Sequence, residues 1–149
     1  ARQYLPQARP AFAGMQCGLS IGLARAALRA AAQAVQGQAA RGILGQPLEA
    51  LDGQVETLAA RLIAGVRDGG FVAEPWRLFE IRIALAEAAL QAVQLELQAC
   101  GGAAYLLPAG ADFARRWREA AFLPIVTPSV VQLKTELAKR QARLAGAAE

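Results

Sequence analysis

Apolar residues recur at three- and four-residue steps along most of this 149-residue chain, a spacing that places them on one face of an α-helix. The first such pattern predicts a long helix over residues 10 to about 36. Its apolar face comprises Phe12, Met15, Leu19, Leu23 and Ala26. A second helix is predicted over residues 48 to about 68, ended by the Gly69-Gly70 pair. The residues expected on its buried face are Leu51, Val55, Leu58, Leu62 and Val66.

The clearest pattern begins at Pro75 and ends at Gly101-Gly102, where it predicts a third helix of roughly six turns or more. Its buried seam is expected to contain Trp76, Phe79, Ile83, Ala86, Leu90, Val93 and Leu97. A short helix is predicted over residues 113–122, broken by Pro124. A last helix is predicted over residues 128 to about 144, with charged residues on its outer side.

Three glycines at spacing four, Gly14, Gly18 and Gly22, fall within the first helix. Glycine destabilises a helix interior by roughly 0.5–1 kcal/mol relative to alanine. The row is therefore expected to serve close packing between helices. The segment QAARGILGQP, residues 38–47, contains two further glycines and a proline, and it is expected to interrupt the helices.

The last helix starts in the sequence IVTPSVVQL, residues 125–133. Thr127 would cap this helix with its hydroxyl, and Pro128 would take the first helical position, where a missing N–H costs nothing. Alternatively, this helix start faces a ligand. The local sequence leaves both interpretations open.

No segment alternates apolar and polar residues with the period of two that marks a half-buried strand. We expect an all-α protein, and long helices with short connections favour an up-down four-helix bundle with one short extra helix. Residues 1–149 form one domain, expected to be a fragment of a longer protein because it begins with Ala1 rather than methionine. No run approaches the roughly 20 apolar residues of a membrane span, so a soluble, cytoplasmic protein without membrane contact is expected.

The net charge, the two cysteines and the absence of histidine argue against several classes of function. The net charge of +4 comes from arginines interleaved with Glu and Asp, whereas nucleic-acid-binding proteins cluster such residues on one face. Cys17 and Cys100 lie far apart in apolar segments, which favours buried free thiols in a reducing compartment and neither a disulfide framework nor a metal site. The chain has no histidine, which excludes Ser-His and Cys-His nucleophilic arrangements within it and most catalytic zinc sites.

Three short segments combine arginines and glycines at helix ends and loops. RGILGQPL spans residues 41–48, QACGGAAY spans residues 98–105, and REA at residues 118–120 precedes the IVTPS helix start. In this order and spacing they resemble the C-terminal helical domain of the acyl-CoA dehydrogenase family of flavoproteins. The corresponding family patterns are R-x-x-F-G, Q-x-x-G-G-x-G-Y, R-D-A and E-G-T. ARP at residues 8–10 resembles the start of that domain, so the resemblance covers nearly the whole chain.

The resemblance implies a divergent FAD-dependent oxidoreductase, in which this domain contacts the adenosine and pyrophosphate of FAD held mainly by a neighbouring subunit. It implies a homo-oligomer, dimer or tetramer, and an acyl-CoA or other small hydrophobic substrate in the full-length protein. Paired glycines leave backbone N–H groups open to a pyrophosphate, and arginine can hold phosphate by charge-assisted hydrogen bonds. The residues assigned to cofactor binding are Arg41, Leu44, Gln98, Gly101, Gly102 and Ser129.

The family's catalytic base has no counterpart in this chain. Acyl-CoA dehydrogenation needs a carboxylate that removes the α-proton, and the family places it at the position of Thr127 or, in a minority, of Ala8. Asp52 replaces a glutamine near the adenine, and Pro128 removes a backbone donor. We assign no catalytic and no metal-binding residue. Either the base comes from elsewhere, or the chemistry is the monooxygenation of relatives that lack the Glu. The chain alone is expected to be inactive, because nothing in it resembles the family's N-terminal and β domains.

A second hypothesis is a non-catalytic helical module for oligomerisation or partner docking that has lost flavin binding. The departures at Thr127, Ala8 and Asp52 favour it. On that interpretation Gly101-Gly102 only ends a helix, and Arg41 is only a solvated loop cation. A helical nucleic-acid binder is a third hypothesis.

Overall fold

The computed structural model describes residues 5–36 and 38–147, with the backbone alone described for residues 5–10 and Ala39. Every regular element in these residues is helical and none is a strand, as the sequence predicts. The α-helices are α1 (Leu5–Val35), α2 (Gly45–Arg67), α3 (Gly70–Ala73), α4 (Pro75–Cys100), α5 (Ala111–Phe122) and α6 (Val130–Gly146). Short 3₁₀ helices cover Ala39–Leu44, Gly101–Tyr105 and Leu123–Ile125. Helices α1, α2 and α5 begin two to five residues earlier than predicted.

Helix α4 is the centre of the molecule and contacts each of the other α-helices. The first parts of α1 and α4 share one core cluster, which contains Cys17 and Ile81, and their later parts share a second cluster. These two helices therefore run in the same direction. Helix α2 runs the opposite way, because Leu48 near its start lies in the second cluster while Leu58 lies in the first.

Helix α6 also runs opposite to α4. Near the start of α6, the Lys134 ammonium lies 2.8 Å from the Glu87 carboxylate in the middle of α4. Further along α6, the Arg140 guanidinium stacks 3.9 Å above the ring of Trp76, which lies at the start of α4. Helix α5 packs on α4 and α1.

Small side chains form the contact between α1 and α4. On α1 the completely buried residues are Ala13, Cys17, Ser20, Ala24, Ala27 and Ala31. They meet a stripe of α4 that is also rich in alanine. The predicted apolar face of α1 is therefore wrong for its first half: Phe12, Met15 and Leu19 are more than half exposed, while Leu23 is buried. Alanine occupies the buried face because small side chains let two helices approach closely.

The expectation that Gly14, Gly18 and Gly22 serve close packing within this chain is also wrong. A Cβ added at any of the three would meet no described atom within 4 Å. The row lies outside the tight contact of α1 with α4. Gly18 and Gly22 are exposed, and the half-buried Gly14 borders a groove that also includes residues of α2 and α3.

The buried stripe of α4 differs from the predicted seam by part of a turn. Ile83, Ala86 and Val93 are buried as predicted, whereas Trp76 and Leu90 at the flanks are only half-buried. The centre of the stripe holds Leu78, Ile81, Leu85, Ala88, Ala89, Ala92 and Ala99, together with the charged residues Arg82 and Glu96. On α2 the predicted face holds except at its end, where Val66 is 65% exposed.

The start of α6 corrects the predicted cap. The helix begins at Val130, and Ser129 rather than Thr127 is its N-cap residue. The Ser129 hydroxyl accepts a hydrogen bond from the Gln132 N–H, and the Gln132 side chain accepts one from the Ser129 N–H. This reciprocal capping box satisfies two N–H groups at once. With Thr127 as the N-cap, the third helical residue would be Val130, whose side chain has no acceptor for the second hydrogen bond. Pro128 therefore precedes the helix.

A buried hydrogen-bond network holds the connection between α5 and α6 against α1 and α4. Arg82 on α4 donates from Nε to the side-chain oxygen of Gln16 at 2.8 Å and from Nη2 to the carbonyl of Leu123 at 2.6 Å. Gln16 on α1 in turn donates to the carbonyl of Thr127 at 2.6 Å. The position of the α6 start thus depends on two polar side chains from the helix core.

Residues 11–35 of α1 are long and apolar enough to cross a membrane by length and composition, which the sequence analysis did not anticipate. Half of this window is buried inside the protein, as is usual for a core helix of a soluble protein. The span by itself is therefore weak evidence of a membrane segment. Cys17 is buried and Cys100 half-buried, and both are free thiols.

Candidate functional site at the end of helix α4

Helix α4 ends at a glycine in a conformation that side chains rarely adopt. Gly101 has φ +58° and ψ −142°, and its N–H donates to the carbonyl of Leu97 in the last turn. Since φ lies in the left-handed region, glycine is the residue that takes this position without strain. The chain then turns into the 3₁₀ helix Gly101–Tyr105.

Arg41 lies directly on this helix end. Its Nη1 donates to the carbonyl of Ala99, 58 residues further along the chain, and its Nη2 is 3.6 Å from the point where a Cβ of Gly101 would stand. The last carbonyls of a helix lack intrahelical partners and carry partial negative charge, so a guanidinium here is stabilising. The structure therefore brings together the RGILG and QACGG segments.

Gly102 and Gln98 lie beside this contact. A Cβ added at Gly102 would meet nothing within 4 Å, so the backbone there is open on one side. The exposed Gln98 lies one turn before the helix end and lines a groove of about 460 Å³ between α2 and α4. The other residues of the groove are Pro47, Ala50, Leu51, Gln54, Leu90, Gln91, Gln94 and Leu95.

The other two predicted cofactor-binding residues differ in position. Leu44 ends the 3₁₀ helix that contains Arg41, and it is half-buried against the second core cluster. Ser129 caps α6, whose first turns lie beside the middle of α4, as the contact of Lys134 with Glu87 shows. Only Ser129 is therefore separated from the end of α4, where the other predicted residues are grouped.

An ion pair near the end of α4 was not predicted from the sequence. Arg116 on α5 donates from Nε to one carboxylate oxygen of Glu96 at 2.8 Å and from Nη2 to the other. The Glu96 side chain is 1% exposed and that of Arg116 12%. This bidentate hydrogen bonding raises the pKa of Arg116. The available signal was a single glutamate inside an otherwise apolar helical stripe.

Cys100 lies between these charged groups. Burial raises the pKa of its thiol, and the Glu96 carboxylate raises it further, while Arg116 and Arg41 act in the opposite direction. The thiol is therefore a poor nucleophile here, because the reactive form is the thiolate. Both guanidinium groups therefore act electrostatically on the Cys100 thiol near the end of α4.

The positions where the resemblance would place a catalytic carboxylate or an adenine contact are occupied as follows. Thr127 is exposed, and its carbonyl accepts the hydrogen bond from Gln16. Asp52 is exposed on α2. Ala8 lies within α1, but its side chain is outside the described residues. Among residues 5–36 and 38–147 there is no group of three His, Cys, Asp or Glu residues that could hold a metal ion.

In chemical terms, this end of the bundle combines positive charge with an open glycine backbone. It can hold an anion beside Arg41. No protein-family model, curated protein or solved structure matches this chain. The function is therefore inferred from the residues and their geometry.

Proposed function

We propose that this chain is the C-terminal helical domain of an acyl-CoA dehydrogenase-like, FAD-dependent oxidoreductase, built as an up-down four-helix bundle with one short extra helix. In the assembled, cytoplasmic protein it contributes to the FAD adenosine and pyrophosphate site and to subunit contacts. The observation that carries the proposal is the contact of Arg41 with the Gly101 helix end. Both belong to motifs that the resemblance assigns to one cofactor.

The site residues fit the dinucleotide end of FAD. A guanidinium has five N–H donors in a fixed fork. Within the described residues Arg41 uses one of them, on the carbonyl of Ala99, which leaves donors for a phosphate oxygen. The open side of Gly102 allows close approach of a ligand to the backbone. Gln98 is exposed one turn away and offers both a donor and an acceptor.

FAD would supply the hydride-accepting or oxygen-activating chemistry, and this chain's residues would bind and orient it. Thr127 carries no carboxylate, so an α-proton of a substrate has to be removed by a group outside the described residues if the reaction is a dehydrogenation. Monooxygenation by reduced flavin needs no such base. In either case the substrate would be an acyl-CoA or another small hydrophobic molecule, bound by other parts of a homo-oligomeric protein.

Gly102→Val provides the sharpest test of flavin binding. The valine side chain meets open space in this fold, so the protein should keep its thermal unfolding midpoint, but the added methyl groups would block a ligand against the backbone. We expect the purified full-length protein to show the visible absorbance of bound flavin and Gly102→Val to lose it. Gly53→Val is the matched control, since Gly53 also faces open space, on α2. A full-length protein that neither contains nor takes up flavin would refute the proposal.

Arg41→Ala tests the phosphate contact. We expect FAD affinity to fall by about tenfold or more, because charge-assisted hydrogen bonds contribute roughly 1.5–3 kcal/mol. Arg61→Ala removes an exposed cation from α2 and should leave FAD affinity unchanged. Equal FAD affinity in wild type and Arg41→Ala would restrict Arg41 to its role as a helix cap.

That second role supports the alternative function, a non-catalytic helical module for oligomerisation or docking. Arg41 already has a structural task at the end of α4, and Ser129 has one at the start of α6. A full-length protein that assembles normally without flavin, and whose assembly survives Gly102→Val, would favour this module over the flavoprotein.

A further inference from the structure

The side of α1 that faces away from α4 is apolar and uncovered. Phe12, Met15 and Leu19 are 52%, 64% and 59% exposed. They lie three and four residues apart and so form one ridge along the helix. Residues 11–24 contain no charged side chain, and Arg25 beyond them is paired with Glu56 at 2.6 Å. This stretch has the composition of an interior helix on both of its sides.

The glycine row runs beside that ridge. Gly14, Gly18 and Gly22 each destabilise α1, and no described atom would lie within 4 Å of a Cβ added at any of them. Within the part of the single chain that the structure describes, no close helix contact therefore offsets the stability lost at these three glycines. Consecutive glycines at spacing four form a groove into which a ridge of another helix can pack closely.

The apolar surface continues onto the neighbouring helices. The ion pair of Arg25 with Glu56 fixes the antiparallel register of α1 and α2, which sets Ile63 level with Gly18. Near the start of α1 an apolar groove of about 380 Å³ opens between Gly14, Val66 and Val72. On the other flank, the connection that Gln16 ties to α1 follows the end of α5. The exposed large side chains of these flanks are Ile63, Val66, Val72, Phe122 and Ile125.

The size of this surface can be compared with that of a stable interface. A fully exposed side chain of this kind carries on the order of 100 Å² of apolar area, so these eight partly exposed side chains offer about 500 Å². A standard interface buries roughly 800 Å² per partner, of which about 60% is apolar, or again about 500 Å². The available surface therefore matches one interface of ordinary size, and it reaches the upper end of what monomers expose.

A second copy of this chain fits the surface better than an unrelated partner. The ridge of Phe12, Met15 and Leu19 and the groove of Gly14, Gly18 and Gly22 lie side by side on one helix, so a two-fold axis would insert each ridge into the other copy's groove. The uncharged stretch allows two positively charged copies to meet without placing like charges in contact. The face is thus complementary to itself in shape and in charge.

We propose that the outer face of α1 is the interface of a symmetric dimer of this chain. The inference gives a surface to the subunit assembly proposed above, but it does not depend on flavin binding. The two can fail separately, since one is measured as molecular mass and the other as visible absorbance.

Gly18→Leu tests the interface directly. In the single chain the leucine would meet open space and replace a weak helix former, so the monomer should be at least as stable as wild type. In the dimer it would overfill the groove. We expect sedimentation velocity on the protein to give a dimer that dissociates on dilution, with a dissociation constant raised at least about tenfold by Gly18→Leu. Leu19→Glu should act in the same direction by placing a charge in the ridge.

Gly53→Leu is the matched control, because Gly53 is also a helix-interior glycine that faces open space but lies on α2. It should dimerise as wild type does. A wild-type protein that stays monomeric at every concentration would overturn the inference and assign the face to a different partner. Dimerisation that Gly18→Leu leaves unchanged, or that Gly53→Leu weakens equally, would overturn it too.

Discussion

Two arginines, Arg82 and Arg116, connect the last third of the chain to the helix core. Their guanidinium groups are largely shielded from water, but they have different kinds of hydrogen-bond partner. Arg116 reaches from α5 to α4 and meets the carboxylate of Glu96 in a bidentate pair. Arg82 on α4 is completely buried, and its guanidinium meets only the side-chain oxygen of Gln16 and the carbonyl of Leu123. Its Nη1 has no hydrogen-bond partner within the described residues.

The difference separates two ways of stabilising a buried cation. At Arg116 the attraction of an opposite charge offsets the loss of hydration. At Arg82 the neutral acceptors offset only part of the lost hydration. Burial therefore lowers the pKa of the guanidinium. Arg82, however, links three separate pieces of the structure, because its partners lie on α1 and after α5. The first arginine thus forms a strong local pair, while the second fixes where the α5–α6 connection runs.

Arg116→Ala should have the largest effect of the substitutions that distinguish these two sites. It leaves the Glu96 carboxylate buried without its counterion, which costs roughly 3–5 kcal/mol in the free energy of unfolding. Urea unfolding at neutral pH measures this loss.

Arg115→Ala is the control for that change. Arg115 is the neighbour of Arg116 on α5, and its contact with Glu119 at 2.9 Å is exposed. Such i,i+4 pairs contribute only about 0.3–0.5 kcal/mol. Similar losses in the two variants would mean that the Glu96 pair is not the stabilising feature of α5.

Arg82→Met should destabilise less, by about 2 kcal/mol. Methionine removes a cation that is costly to bury, but it leaves the side-chain oxygen of Gln16 and the carbonyl of Leu123 without a donor. Adding Gln16→Leu to Arg82→Met should cost less than the sum of the single changes, because one orphaned acceptor disappears with the glutamine. Full additivity would show that the two side chains are not coupled.

The helices could be predicted from the sequence because their apolar spacing and their glycine and proline boundaries are local. The face that each helix buries could not be predicted equally well. On α1 the larger side chains Phe12, Met15 and Leu19 were predicted to be buried. In the structure the alanine stripe is buried instead, since close approach of two helices favours small residues. Hydrophobicity alone does not distinguish these two faces.

The candidate site was predictable only where a family pattern joined distant segments. The resemblance assigned Arg41 and Gly101 to one cofactor, and in the structure the Arg41 side chain lies against the helix end at Gly101. Binding of that cofactor stays a prediction. Glu96 and Arg116 belong to no such pattern. Each looks locally like a charge on a helix, and their pairing follows from the packing of α5 on α4.

Among the substitutions of buried residues, Cys17→Ala should have the smallest effect at neutral pH. The Cys17 thiol lies close enough to Arg82 for the guanidinium to affect its pKa. Burial raises its pKa from 9.0 to about 12, although Arg82 lowers it. The thiol is therefore neutral in the folded protein near neutral pH and does not serve as a counterion to Arg82. Cys17→Ala should cost about 1 kcal/mol at neutral pH, the effect of removing one buried heavy atom.

The pH dependence of Cys17→Ala then sharpens the comparison. A group whose pKa is raised by folding contributes stability that is complete below its unfolded pKa and lost as pH rises to the folded value. The free energy of unfolding of wild type should thus fall more steeply than that of Cys17→Ala between pH 9.0 and about 12. Other titrating groups are common to both proteins and cancel in the difference. In an Arg82→Met background only the upper limit of this window should move to higher pH, because the cation that lowers the thiol pKa in the folded protein is gone. Parallel curves for wild type and Cys17→Ala would mean that the thiol is hydrated in the folded protein, and Arg82 would then lie in a wetter core than its hydrogen bonds indicate.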